Sequence, residues 1–241
     1  MDLVTALRAE GLVCVVGAGG KKSTLWRLAD RIDRAVVTAT VRIPIFDPHV
    51  GAVSVTADPV DAVRGADTWP LGLVPEREND RYLGYDTQTV ERIVETGVPE
   101  AVLVKADGAR MREFKAPNDD EPRIPAATDT VLPLVSAHVV GKPLTDDYVH
   151  RVDRVAALTD LAPGAEMGPE HVATVVTSPQ GGCKDVPDGA TVVPVVNKVD
   201  DDTDEAIATR IATAVLATDR VDRVVLTRMA ADDPLVAVLG D

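Results

Sequence analysis

Leu12-Val13-Cys14-Val15-Val16-Gly17-Ala18-Gly19-Gly20-Lys21-Lys22-Ser23-Thr24 decides how this chain is read. Five apolar residues have the length of a buried strand. They enter a glycine-rich turn, a lysine pair and two hydroxyls. Leu25, Leu28 and Ala29 then recur at helical spacing. The common phosphate-loop pattern is G-x-x-x-x-G-K-[ST]. The stretch from Gly17 to Ser23 is one residue shorter, and Lys21 stands where the last glycine would be. The physical parts remain. Gly17, Gly19 and Gly20 permit a tight turn, Ala18 adds little bulk, and backbone N–H groups can converge on an anion. The helix N-terminus adds partial positive charge. Lys21 or Lys22 can reach the β- and γ-phosphates, and Ser23 or Thr24 can offer a hydroxyl to Mg²⁺. The competing reading is a glycine-rich turn with a solvent-facing lysine pair.

Outward from this segment, short Val-rich runs alternate with amphipathic ones, the pattern of an α/β fold with a mainly parallel sheet. The expected strands are Leu12–Val16, Ala35–Thr40, Ala101–Lys105, Thr130–Val135, Thr191–Val196 and Arg223–Leu226. The expected helices are Leu3–Ala9, Lys22–Ile32, Pro59–Arg64, Asp86–Thr96, Pro169–Val176 and Asp204–Ala217. No linker divides the chain, so one domain over residues 1–241 is expected, with helices on both faces of the sheet. Prolines at 117, 122 and 125 argue for a long functional loop at 108–127. Residues 141–188 read as mostly helical.

Three further strand ends bear on chemistry. Val37-Thr38-Ala39-Thr40-Val41-Arg42 ends on the phosphate side of a parallel sheet, which would bring Thr38, Thr40 and Arg42 toward the γ-phosphate or metal. For the two threonines, plain strand propensity is an equal explanation. Ala101 to Lys105 leads to Asp107-Gly108, where a Walker B carboxylate would hold Mg²⁺ and an Asp-Gly turn is the alternative. Lys105, at the end of a buried strand, needs an anion or water. Asn197-Lys198-Val199-Asp200 matches N-K-x-D. An ionised Asp200 could accept from guanine N1–H and its 2-amino group, which adenine cannot match. Asn197 could approach the O6/N7 edge and brace the loop, and the Lys198 stem could lie across the base. A solvated strand-to-helix loop is the alternative.

Composition narrows the classes. Hydrophobic residues make up 45% of 241, enough for a large core, but aromatics only 3%, so Val, Ala, Leu and Ile must build it. No apolar run reaches the ~20 residues of a membrane span, and the start lacks a secretory pattern. A cytoplasmic location follows as an expectation. The net charge of −14 disfavours nucleic acid and anionic membranes as partners. Its spread along the whole chain fits a halophilic, salt-adapted surface. Cys14 and Cys183 give no disulfide framework, and the four histidines show no metal-ligand spacing.

The motifs together resemble the YqeC family of selenium-dependent molybdenum hydroxylase accessory proteins. They run in order through Gly17–Lys21, Thr38–Thr40, Ala106–Arg110, Lys115–Pro117, Glu121-Pro122, Ile124-Pro125, Gly141–Leu144, His150-Arg151 and Asn197–Asp200. The resemblance implies a P-loop NTPase-like domain that helps mature a molybdenum hydroxylase, and it draws attention to Lys115 and Glu121 near the nucleotide face. The family pattern has Glu where this chain has Lys105, which weighs against hydrolysis, and a hydroxyl residue where it has Lys22, which leaves Ser23 to serve the metal. The expectation is a Mg²⁺-dependent, GTP-preferring (or ATP-using) nucleotide-binding protein that hydrolyses slowly or switches, with Lys21, Lys22 and Asp107 as its catalytic groups. A small-molecule kinase with its acceptor on the 107–125 loop, and a non-hydrolysing nucleotide-binding module, are the alternatives.

Overall fold

A computed structural model describes residues 1–241. Ten strands form one sheet: β1 (Gly11–Gly17), β2 (Ala35–Ala39), β3 (Ala52–Val55), β4 (Leu71–Val74), β5 (Ala101–Lys105), β6 (Thr130–Ser136), β7 (Thr191–Val192), β8 (Val195–Asn197), β9 (Arg223–Thr227) and β10 (Leu235–Gly240). The spatial order is β10-β9-β8-β6-β1-β5-β2-β4-β3, with β7 also on β6. Every pairing in this sheet is parallel except that of β9 with β10. Seven helices surround it: α1 (Leu3–Ala6), α2 (Lys21–Ala29), α3 (Pro59–Arg64), α4 (Thr87–Glu95), α5 (Val152–Thr159), α6 (Pro169–Thr177) and α7 (Asp202–Leu216). The α/β class and the mainly parallel sheet agree with the sequence reading.

Period-two alternation sorts the strands between two faces. Val13 and Val15 of β1, Ala101 and Leu103 of β5, and Val37 of β2 pack with α1 and α2. Their neighbours Leu12, Cys14, Val16, Val102 and Val104 pack on the opposite face against α3 and α4. Beyond β6, Val135, Val196, Val224 and Leu226 form that second face with α5 to α7. Both faces are covered, which is why β1, β5 and β6 are buried along most or all of their length. Cys14 is a packed hydrophobe whose thiol is pushed up to about 12 by burial.

Several boundaries differ from the sequence reading. The run 191–196 is interrupted after Val192: Pro194 cannot donate to the ladder, so β7 and β8 are separate strands. Strands β3, β4 and β10 are additional, and so is helix α5. Residues 141–188 are not mostly helical; α5 and α6 are short and joined by turns. Helix α1 stops at Ala6 and α2 at Ala29. The proline-bearing loop at 108–127 contains only the two-residue strand Phe114–Lys115, paired with Val149–His150.

Leu103 is fully buried at the centre of the sheet. Leu103→Ala is expected to lower the unfolding free energy by about 2–5 kcal/mol. The check is the urea midpoint, and an unchanged midpoint would contradict this core assignment.

Candidate functional site

The β1 C-terminus turns into α2 through Ala18, Gly19 and Gly20. Gly19 (φ +79°) and Gly20 (φ +141°) adopt backbone angles that side chains rarely tolerate, and a Cβ at Gly20 would strike the Asn197 amide nitrogen. Three early N–H groups of this turn are already bonded. Gly17 N donates to Asp107 Oδ2 (2.8 Å), Ala18 N to the Leu134 carbonyl (2.9 Å) and Gly19 N to the Arg112 carbonyl (3.2 Å). The first helix bond in the segment is Thr24 N to the Gly20 carbonyl, at 3.0 Å. The N–H groups of Gly20, Lys21, Lys22 and Ser23 therefore remain for an anion at the positive end of α2.

Asp107 is buried behind this turn. Its Oδ1 lies 2.9 Å from Lys21 Nζ and its Oδ2 2.9 Å from Lys115 Nζ. Burial pushes its pKa up, but Lys21 and Lys115 outweigh that and hold the carboxyl below its ordinary value. Lys21 also donates to the Gly17 carbonyl. Burial holds the Lys21 ammonium below the usual lysine value, against the pull of Asp107. Lys115 donates to the Gly108 carbonyl (2.6 Å) and pairs with Glu121 at 3.0 Å. Arg151 reaches the same Glu121 oxygen at 3.0 Å. The Lys115–Glu121 pair thus joins the network behind the phosphate loop, and Lys115 is buried rather than an exposed loop charge. Magnesium on Asp107 does not fit this arrangement, since both oxygens already face ammonium groups or an amide. Ser23, by contrast, lines the open cavity.

Of the partners expected for Lys105, Asp107 is not the one it meets: its Nζ donates to the Arg42 carbonyl at 2.8 Å, and the residue lines the cavity. Burial and then Lys21 pull its pKa down from 10.5 to about 7. Thr38 and Thr40 are also turned to structural ends, donating to the carbonyls of Leu73 and Arg123, both at 2.7 Å. Thr24 is buried and donates to the Gly20 carbonyl at 3.2 Å.

Asn197 is buried and committed. Its Nδ2 donates to the Gly19 carbonyl (2.8 Å), while Oδ1 accepts from the Thr227 hydroxyl (3.1 Å) and Met229 N (2.9 Å). It braces the phosphate loop, and its carbonyl oxygen has two donors already. Lys198, at φ +63°, pairs with Glu113 at 2.6 Å and lines the cavity. Asp200 lies outside the cavity lining, its side chain 57% exposed and 4.0 Å from His138.

In front of the turn lies a cavity of about 860 Å³. On the phosphate-loop side it is lined by Lys21, Lys22 and Lys198, and on the other by Arg42, Arg81, Lys105, Arg110 and Arg112. Its only acidic lining residues are Glu113 and Glu121, both paired to cations. The concentration of positive charge contrasts with a chain of net charge −14. Sequence reading did not assign Arg81, Arg110 and Arg112 to the site, because nothing in the chain order brings residue 81 beside residues 110–112.

Two outcomes are expected. Lys105→Met removes an ammonium whose folded pKa is about 7 against an ordinary 10.5. The cost of burying it is full below pH 7 and fades as pH rises toward the unfolded value. The variant's stability gain over wild type is thus largest at acid pH and falls by about 1.4 kcal/mol per pH unit above 7. Denaturant midpoints across that range are the measurement, and a pH-independent difference would refute the assignment. Lys115→Met leaves Asp107 and Glu121 short of a buried partner and is expected to cost about 3–5 kcal/mol by chemical denaturation.

The comparisons with known proteins bear on this arrangement. The family model described as "YqeC protein" matches residues 13–153, from β1 through the Asp107 network to the start of α5. The Asn197–Asp200 segment lies beyond that match. An Escherichia coli (strain K12) protein called "Uncharacterized protein YqeC" is 28% identical over 200 residues, covering 80% of this chain and 78% of that one. No solved structure matches the chain. With more than half its length matched, from the phosphate loop through the loop that carries Lys115 and Glu121, this chain belongs to the YqeC family.

Proposed function

We propose that the chain binds a nucleoside triphosphate on the Gly17–Thr24 turn, with guanine preferred through the Asn197–Asp200 segment. One observation carries this reading: a strongly cationic cavity opens on the free N–H groups of Gly20 to Ser23, in a protein that is otherwise acidic. That is the electrostatic requirement of a polyphosphate. Lys21 and Lys22 supply charge at the phosphates, with Lys21 oriented by Asp107. The Asn197 brace ties the base-reading segment to the phosphate loop through Gly19. Lys198 stands at the cavity edge, and the exposed Asp200 carboxylate is free to accept from guanine.

Binding is favoured over rapid hydrolysis. Glu113 faces Lys198, Glu121 faces Lys115 and Arg151, and Asp107 faces Lys21 and Lys115. No carboxylate at the cavity is left as a base for water. Slow turnover that awaits a partner follows. The proposed cellular task is assistance in maturing a selenium-dependent molybdenum hydroxylase, for which the support is the family resemblance.

The experiment is calorimetry with GTP, GDP, ATP and ADP, with Mg²⁺ present, in molar KCl to screen the acidic surface. GTP is expected to bind more tightly than ATP, and Lys22→Ala to weaken GTP about tenfold, the size of one lost charged contact. Asp200→Asn is expected to transfer preference toward xanthosine triphosphate. Equal or tighter ATP binding would sink the guanine assignment, and absence of binding by any of the four would sink the whole reading.

A further inference from the structure

The cavity is lopsided about the phosphate loop. Strand order puts β8 and β9, with the Asn197–Asp200 segment, on one side of β1, and β5 and β2 on the other. Of the base-reading segment only Lys198 lines the cavity. The rest extends over the β5–β2 side, lined by Val41, Arg42, Pro44 and Arg81 and by Gly108–Glu113.

That half is itself cationic. Arg42 and Arg81 come together because Pro44 pairs with Arg81 across a short antiparallel ladder. Arg110 and Arg112 line the same cavity from the loop after β5, which is fixed in place by the Gly19 N to Arg112 carbonyl bond and by Glu113 on Lys198. Arg42 pairs with Glu78 at 2.9 Å, whereas Arg110, Arg112 and Lys105 have no carboxylate partner. Lys105 is 7% exposed at this wall, with only the Arg42 carbonyl as acceptor. A buried ammonium in that position is destabilising until an anion arrives. The cavity also has apolar lining. Trp26 reaches it from α2, stacked on His49 with ring centroids 3.9 Å apart and with Lys22 Nζ 5.8 Å over its ring. Met111, 79% exposed, stands at the rim.

We propose that the β5–β2 half of the cavity is a second ligand subsite, for a small molecule carrying a phosphate group on a ring or other apolar body, bound beside the nucleotide. The proposal rests on the reading of the phosphate loop as a nucleotide site. Guanidinium forks from two segments match the several oxygens of a phosphate dianion better than a single carboxylate. The Met111 side chain, with the part of Trp26 that lines the cavity, provides the apolar contact.

The test uses phenyl phosphate as probe, titrated by calorimetry into the full chain already saturated with nucleotide. One-to-one binding is expected, weaker for inorganic phosphate and for benzoate. The Arg110→Ala/Arg112→Ala double variant should lose at least about tenfold in phenyl phosphate affinity, and a loss of nucleotide affinity as large as that would overturn the separate subsite. Arg81→Ala should weaken the probe in the same sense, and by more than it weakens the nucleotide. Competition between probe and nucleotide, or no probe binding to the nucleotide-loaded chain, would overturn the second subsite while leaving the nucleotide reading intact. Benzoate binding as tightly as phenyl phosphate would overturn the phosphate assignment. Arginine-dependent probe binding without any nucleotide binding would sustain the subsite and sink the nucleotide reading.

Discussion

The Asp107 carboxylate, held between Lys21 and Lys115, is the constraint from which the site is built. A charge with 2% exposure is tolerated only when partners replace its water. Those partners come from the first turn of α2, from the loop after β5 and, through Gly17 N, from the end of β1. Satisfying one carboxylate therefore fixes the helix N-terminus against the strand and anchors the proline-bearing loop beside both. The shape of that loop has the same source: Lys115 also reaches Glu121, and Glu121 in turn accepts from Gly108 N at 3.1 Å and Arg151 at 3.0 Å.

The network does not balance. Lys21, Lys105, Lys115 and Arg151 face only Asp107 and Glu121 in the interior. The surplus includes Lys105 on the cavity side, where burial disfavours the lysine charge. An anionic ligand corrects the imbalance locally. The acidic exterior acts over a different range: screening at high salt shortens its reach to a few ångströms, so it need not oppose anion entry into a cavity whose walls are cationic.

What could be read in the sequence was local and what could not was assembled across it. Leu12 to Val16 alternates between two buried faces, and Gly17 to Ser23 is contiguous, so strand, turn and helix follow from neighbours alone. The α/β class followed from repetition of that pattern. Strands β3 and β4 escaped because each has four residues and sits among Gly51, Pro70 and Gly72, which read as turns. Asp107 was legible as an acidic residue at a strand end, but its partners were not, since Lys115 is reached by a folded-back loop and Lys21 by a parallel pairing of β1 with β5. For Thr38 and Thr40 a place at a strand end left a ligand and plain strand propensity equally open, and the nearer carbonyls of Leu73 and Arg123 take both hydroxyls.

Gly19 shows how the parts are coupled. Its N–H is bonded to the Arg112 carbonyl and its own carbonyl to the Asn197 amide. One residue thereby links the loop carrying Arg110 and Arg112 to the strand end preceding Lys198. Neither connection uses a charged group, so both survive the salt that screens the surface. A displacement of the phosphate turn on ligand binding has to be shared by both loops or break one of two buried hydrogen bonds, and leaving a buried polar group unpaired costs about 1–3 kcal/mol. The rigid answer is a turn that keeps Gly19 fixed and presents only Gly20 to Ser23 to the anion, which is the arrangement the backbone already has.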